Sequence, residues 1–110
     1  MYRHGDLLIL PAILPDGAYR IRRNRRGHLV LALGEATGHA HIVADKDASL
    51  YDLITPDDSE ELRQRFLLVE AEQGATITHQ EHAPLVIPPG VWEVRRQREY
   101  TPAAPVIVGD

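Results

Sequence analysis

The chain contains no cysteine, and only one methionine, one tryptophan and one phenylalanine, in 110 residues. The missing cysteine excludes disulfides, iron–sulfur clusters, thiolate zinc sites and a cysteine nucleophile. Any metal held here must rest on histidine, carboxylate, other oxygen groups or water. Long apolar runs are also missing, and none approaches the ~20 residues that span a bilayer. The opening "MYRHGDLLILPAILPDG" is broken by Pro11 and Pro15 and lacks the plan of a signal peptide. The expectation is a cytoplasmic protein with no membrane partner.

Hydrophobic residues make up 44% and charged residues 25%, the balance of one soluble globular domain spanning residues 1–110. The formal charge of −4 is unevenly spread. "RIRRNRRGH" carries Arg20, Arg22, Arg23, Arg25 and Arg26 with no acid between them, whereas "ADKDASLYDLITPDDSEE" is acidic. A net acidic domain is a poor general nucleic-acid coat, because phosphate neutralisation supplies most of that affinity. The basic turn is expected to be a solvated tip, with a phosphate or a short RNA as its functional alternative.

Short apolar segments between turn signals dominate the chain. "DLLILPAIL", "HLVLALGE", "GHAHIVAD", "ASLYDLI", "FLLVEAE", "ATITHQEH", "PLVIP" and "VWEVRRQREY" read as strands. "AYRIRR" and "HLVLALGE" flank "NRRG" and read together as a hairpin. "TPDDSEELRQRF" is the exception: Thr55 suits a helix cap, Pro56 the first turn, and Asp57 and Asp58 the positive end of the dipole. The pattern predicts an all-β fold, a small antiparallel barrel or sandwich with at most one short helix.

Four of the six histidines fall in two clusters, "GHAHIV" and "THQEHA". Side chains alternate along a strand, so His39, His41 and Val43 share one face, as do Ile77, His79 and Glu81. If Val43 and Ile77 point inward, His39, His41, His79 and Glu81 do too. Three imidazoles and a carboxylate suit a divalent ion such as Zn, Mn, Fe or Ni. Glu81 is then a fourth ligand or a general base. His82 begins a turn that can swing its ring inward in place of Glu81. His4 and His28 stand alone in the sequence and are assigned no role.

"PPGVWEVRRQREYTP" places Trp92, Val94, Arg96, Arg98 and Tyr100 on one face of a strand. Arg96 and Arg98 are candidate anchors for a substrate anion. Pairing of Arg95 and Arg96 with Glu70 and Glu72 across strands is the structural expectation.

With "GEATGHAH", the HxEH element and "QREYTP" in view, the chain resembles a family of small uncharacterised bacterial and phage proteins. The HxH element followed by "LVIPPGVWEV" is also similar to the two motifs of the cupin superfamily. That resemblance implies a β-barrel in which HxH and a later Glu and His bind metal. The cupin pattern has a Glu after HxH where this chain offers Asp45, and a His after the Pro-x-Gly turn where it has Glu93.

Three functions follow as expectations. The first is a cupin-like barrel whose His39, His41, His79 and Glu81 hold a divalent metal and act on a small anionic molecule. The second is a metal-independent ribonuclease using a histidine acid–base pair with arginine phosphate anchors; the catalytic candidates of the site are Glu81, His82, Arg96 and Arg98. The third is a non-catalytic assembly module, a homo-oligomer or adaptor, using exposed apolar strands such as "APVIV".

Overall fold

A computed structural model of the chain describes residues 1–34, 38–54 and 64–96, and the backbone of 107–108. Eleven strands occur among them and no helix: β1 (Tyr2–His4), β2 (Leu7–Pro11), β3 (Tyr19–Ile21), β4 (Leu29–Leu33), β5 (Ala40–Val43), β6 (Ala48–Leu53), β7 (Gln64–Val69), β8 (Ala75–Thr78), β9 (Leu85–Ile87), β10 (Gly90–Arg96) and β11 (Ile107–Val108). The expected helix start at Thr55–Asp58 lies outside the described residues.

The strands form a seven-stranded sheet, ordered β11-β1-β2-β10-β7-β6-β3, and a four-stranded sheet, ordered β4-β5-β8-β9. All pairs are antiparallel except β1 with β11. The chain lays down antiparallel pairs in alternate sheets: β1–β2 and β6–β7 in the larger, β4–β5 and β8–β9 in the smaller. The result is an open sandwich and not the closed barrel of the cupin resemblance.

Alternation builds the core. In β6 the inward residues Ala48, Leu50 and Asp52 are buried while their neighbours are half-exposed. In β8, Ala75 and Ile77 do the same. Leu7, Ile9, Leu50, Leu67, Trp92 and Val94 from the larger sheet meet Leu29, Leu31, Val43, Ile77, Leu85 and Ile87 from the smaller. Leu50 sits directly opposite Leu67, and both are fully enclosed. Burying such side chains contributes about 1.5–3 kcal/mol each.

Two arginines tie the layers and their crossover. Arg65 pairs through both forks with the buried Asp52, at 2.6 and 2.7 Å, and donates to the carbonyls of Val30 and Leu31 in the other sheet. These carbonyls flank a register shift in β4 between Val30 and Ala32, where a bulge leaves backbone acceptors in need of donors. Arg23 donates to the carbonyls of Gly27, Asp45 and Ala48.

The expected hairpin between residues 18–23 and 28–35 does not form. β3 pairs with β6, and β4 with β5. Strand–turn–strand patterning is blind to a chain that changes sheets at the turn, and here the turn is the crossover.

Candidate histidine site at one end of the sandwich

Five histidines gather where strands of both sheets end. His4 closes β1, and the two-residue turn Gly5-Asp6 follows it. His41 lies in β5, with His39 just before that strand. His79 and His82 lie just beyond β8. The ring centroids of His41 and His79 are 4.4 Å apart, those of His79 and His82 4.7 Å, His4 and His41 5.1 Å, and His39 and His79 5.7 Å. His82 stacks on His41 at 5.9 Å with the rings 10° from parallel.

The inward direction of His41 and His79 follows from the strands. Val43 and Ile77 are fully buried on the core face, and two residues along each strand brings an imidazole to the same face. Two glycines make room. A Cβ on Gly5, whose φ is +58°, would fall 2.6 Å from His82 Nε2 and 3.1 Å from His41 Cε1. One on Gly34 would fall 2.8 Å from His79 Nε2.

His4 and His41 form the buried heart of the cluster, at 0% and 1% exposure. Their Nδ1 atoms are 2.9 Å apart. His4 Nε2 lies 2.9 Å from the Ala83 carbonyl, and His41 Nε2 lies 3.1 Å from Asp6 Oδ1. A carbonyl can only accept, so His4 Nε2 carries a proton. Asp6 Oδ2 is 3.3 Å from Arg96 Nε, and a carboxylate that pairs with arginine is an acceptor, which puts a proton on His41 Nε2. Two neutral rings with those protons aim two lone pairs at each other across 2.9 Å. One positive centre between them, a proton or a cation, satisfies all four contacts.

Burial pushes the His41 imidazole down to about 4, with further lowering by the neighbouring His79 and His4 and partial opposition from Asp6. His79 is lowered as well, first by desolvation and then by His82. Crowded rings repel a second charge, so His41 and His79 favour the neutral form at pH 7.

His79 has a defined orientation, because its Nδ1 accepts the Glu81 backbone N–H at 3.0 Å. The neutral ring therefore carries its proton on Nε2. Glu81 itself is exposed at the rim, and its Oε1 lies 3.3 Å from His39 Nδ1. That nitrogen is buried and makes no hydrogen bond, so the contact is proximity of charge and acceptor without bond geometry. Among the described residues, no three His, Asp or Glu side chains are already gathered around one cation position.

Of the residues expected at the site, His39, His41, His79, Glu81 and His82 are brought together, and Arg96 reaches the edge through Asp6. Arg96 also donates to the Leu33 carbonyl. The expected pairing of Arg95 and Arg96 with Glu70 and Glu72 does not form. Arg95 binds Glu93 on its own strand at 2.9 and 3.0 Å, since residues two apart share a face. Arg98 and Tyr100 lie outside the described residues. The cupin-equivalent positions serve elsewhere: Asp45 accepts the Thr76 N–H, and Glu93 holds Arg95.

His4 and Asp6 are the residues that the sequence pattern did not reveal. The available signal was "YRHGDLL", a Gly-Asp turn between two short strands, which folds His4 back beside β2.

No helix among the described residues is long and apolar enough to cross a membrane. Comparison with curated proteins and with solved structures gives no match. A family model described as "Domain of unknown function (DUF8820)" matches residues 3–97, which takes in all five clustered histidines and Arg96, and the chain belongs to that family.

Proposed function

We propose that the histidine cluster binds a divalent transition metal, nucleated on Nδ1 of His4 and Nδ1 of His41, and presents it to a small anionic ligand. The observation that carries this reading is the pair of Nδ1 atoms facing each other at 2.9 Å, both left as acceptors by the protons assigned to Nε2. Histidines that ligate metal donate their other N–H to a carboxylate or a backbone carbonyl. His41 does so to Asp6 and His4 to Ala83. Two nitrogens at Zn–N distances of ~2.0–2.1 Å and a tetrahedral angle stand roughly 3.3 Å apart, so a few tenths of an ångström of movement admits the ion. The low proton affinity of His41 favours a metal over a shared proton as the positive centre.

Two ligands do not complete a site. His82, whose ring lies 5.7 Å from that of His4 and 5.9 Å from that of His41, is a further imidazole within reach of both, and His39 with Glu81 forms the outer wall. All-imidazole donors suit Zn, Ni, Cu or Fe. A metal-bound water of lowered pKa, with a rim carboxylate such as Glu81 taking its proton, is the chemistry such a site supplies.

Elemental analysis of protein purified without a metal-affinity tag tests this directly. One equivalent of transition metal per chain is expected, lost in His4→Ala and in His41→Ala. Parent protein that neither contains nor takes up Zn, Ni, Cu or Fe ends the reading.

A second reading, a metal-free acid–base site acting on RNA, is favoured by one observation. His79 Nδ1 accepts an amide proton, which leaves Nε2–H as a fixed donor at the rim. An RNA cleavage assay in chelator, with a bell-shaped pH profile abolished in His79→Ala, distinguishes it.

A further inference from the structure

The other end of β4 holds a second feature. β3 is the last strand of the larger sheet and β4 the first of the smaller, so both are edges. Where the chain crosses between them, the sandwich opens into a cleft of about 310 Å³ lined by Arg20, Ile21, Arg22, Arg23 and Leu29. Leu29 begins β4 and Leu33 ends it. The cleft is therefore roughly 13 Å from the histidine end along that strand.

Its lining is basic. Among the described residues, none of the three arginines forms an ion pair with a carboxylate, although the chain carries a formal net charge of −4. Two of them are nonetheless fixed in place. Arg20 donates to Ser49 Oγ at 3.2 Å. Arg23 is held by three backbone carbonyls at 2.5–2.8 Å. Neutral acceptors anchor these guanidinium groups without cancelling their charge, and Arg22 stays exposed. Half-buried Ile21 supplies the accessible apolar part of the lining, with the buried Leu29 behind it.

We infer that this cleft binds a nucleotide unit, with its phosphate on the arginines and its base against Ile21. Guanidinium forks match phosphate oxygens, and the volume is at the small end of ligand sites. The unit has two sources, a free mononucleotide or one residue of a single-stranded RNA. This site is independent of the histidine cluster.

The test titrates the full-length protein with inorganic phosphate, adenosine 5′-monophosphate and a six-residue single-stranded RNA, read by amide chemical shifts. The nucleotide is expected to bind at least tenfold more tightly than phosphate, with shifts centred on Arg20–Leu29. RNA binding well above that of the mononucleotide assigns the polymer as the source; equal affinity assigns the free nucleotide. Arg22→Glu, at an exposed residue without a hydrogen-bond partner among the described residues, should weaken nucleotide binding at least tenfold with the fold unchanged. Ile21→Ser should bring nucleotide affinity down towards that of phosphate. Affinity should also fall with salt. His41→Ala should leave binding intact. No binding of any probe, undiminished binding by Arg22→Glu, or loss of binding in His41→Ala would each overturn the inference.

Discussion

The proton affinity of His41 makes a signed prediction that separates neutral rings from a proton shared by His4 and His41. Its imidazole is lowered from 6.5 to about 4 in the folded chain. The unfolded chain therefore binds the proton first as pH falls, and stability is lost between about pH 6.5 and pH 4. Linkage sets the full loss from this one group at about 3 kcal/mol, of which about 2 kcal/mol appears between pH 7 and pH 5. His79, lowered in the same direction, adds to the slope. For a domain of this size, 2 kcal/mol is a sizeable share of a total of about 5–15 kcal/mol.

The assay is urea unfolding at 25 °C in chelator, at half-unit steps from pH 7 to pH 5, for the parent and for His41→Gln. The variant is less stable throughout, so the comparison is of slopes, and its slope should be clearly shallower. If His4 and His41 instead share a retained proton, the folded state holds that proton above pH 6.5 and stability rises as pH falls. A rising or flat parent curve, or equal slopes in parent and variant, refutes the assignment of neutral rings.

Gly5→Ala places a Cβ against His82 and His41 at a φ of +58°; it should cost about 1–3 kcal/mol and weaken zinc uptake measurably by competition with a chromophoric chelator. Asp6→Asn removes the carboxylate that fixes the His41 tautomer, and zinc affinity should fall 10–100-fold while the circular dichroism spectrum is kept. Asp52→Asn leaves the Arg65 guanidinium without its bidentate partner beside a carboxylate site of 0% exposure, and chemical denaturation should show a loss of about 3–5 kcal/mol.

The all-β class, most strand positions and the inward faces of β5 and β8 were legible because period-two alternation survives in short segments such as "AHIV" and "ATIT". Once Val43 and Ile77 are known to face inward, His41 and His79 follow. His82 was legible only as a turn residue that can swing in, which it does. What alternation does not encode is which strands share a sheet. "AYRIRRNRRGHLVLAL" has the local form of a hairpin, yet its halves belong to different layers, and the donors of Arg23 hold the crossover. For the same reason His4 was invisible: β1 is three residues long, and its ring meets His41, 37 positions away, across the two sheets. Arg96 likewise faces Asp6 through the β2–β10 register, a neighbour that no spacing within its own segment reveals.

The position of the cluster follows from the layers of the core. On three strands an inward residue of the penultimate layer is succeeded on the same face by histidine at the sandwich end: Tyr2 by His4, Val43 by His41 and Ile77 by His79. The end layer thus replaces hydrocarbon with imidazole, and its nitrogens must find partners beyond the sheet in Asp6, Ala83 and Glu81. If the facing Nδ1 pair is retained for binding and not for stability, removing both rings should cost less than removing either. His4→Leu alone or His41→Leu alone leaves a buried nitrogen without its neighbour, a penalty of about 1–3 kcal/mol. The double variant leaves no orphan and extends the apolar core by one layer, so it should be at least as stable as either single variant at pH 7 in chelator. The coupling should be about 0.5–3 kcal/mol in a double-mutant cycle, with metal uptake absent from all three variants. Strictly additive losses would mean that the two rings act independently, and the paired-ligand reading would fall with them.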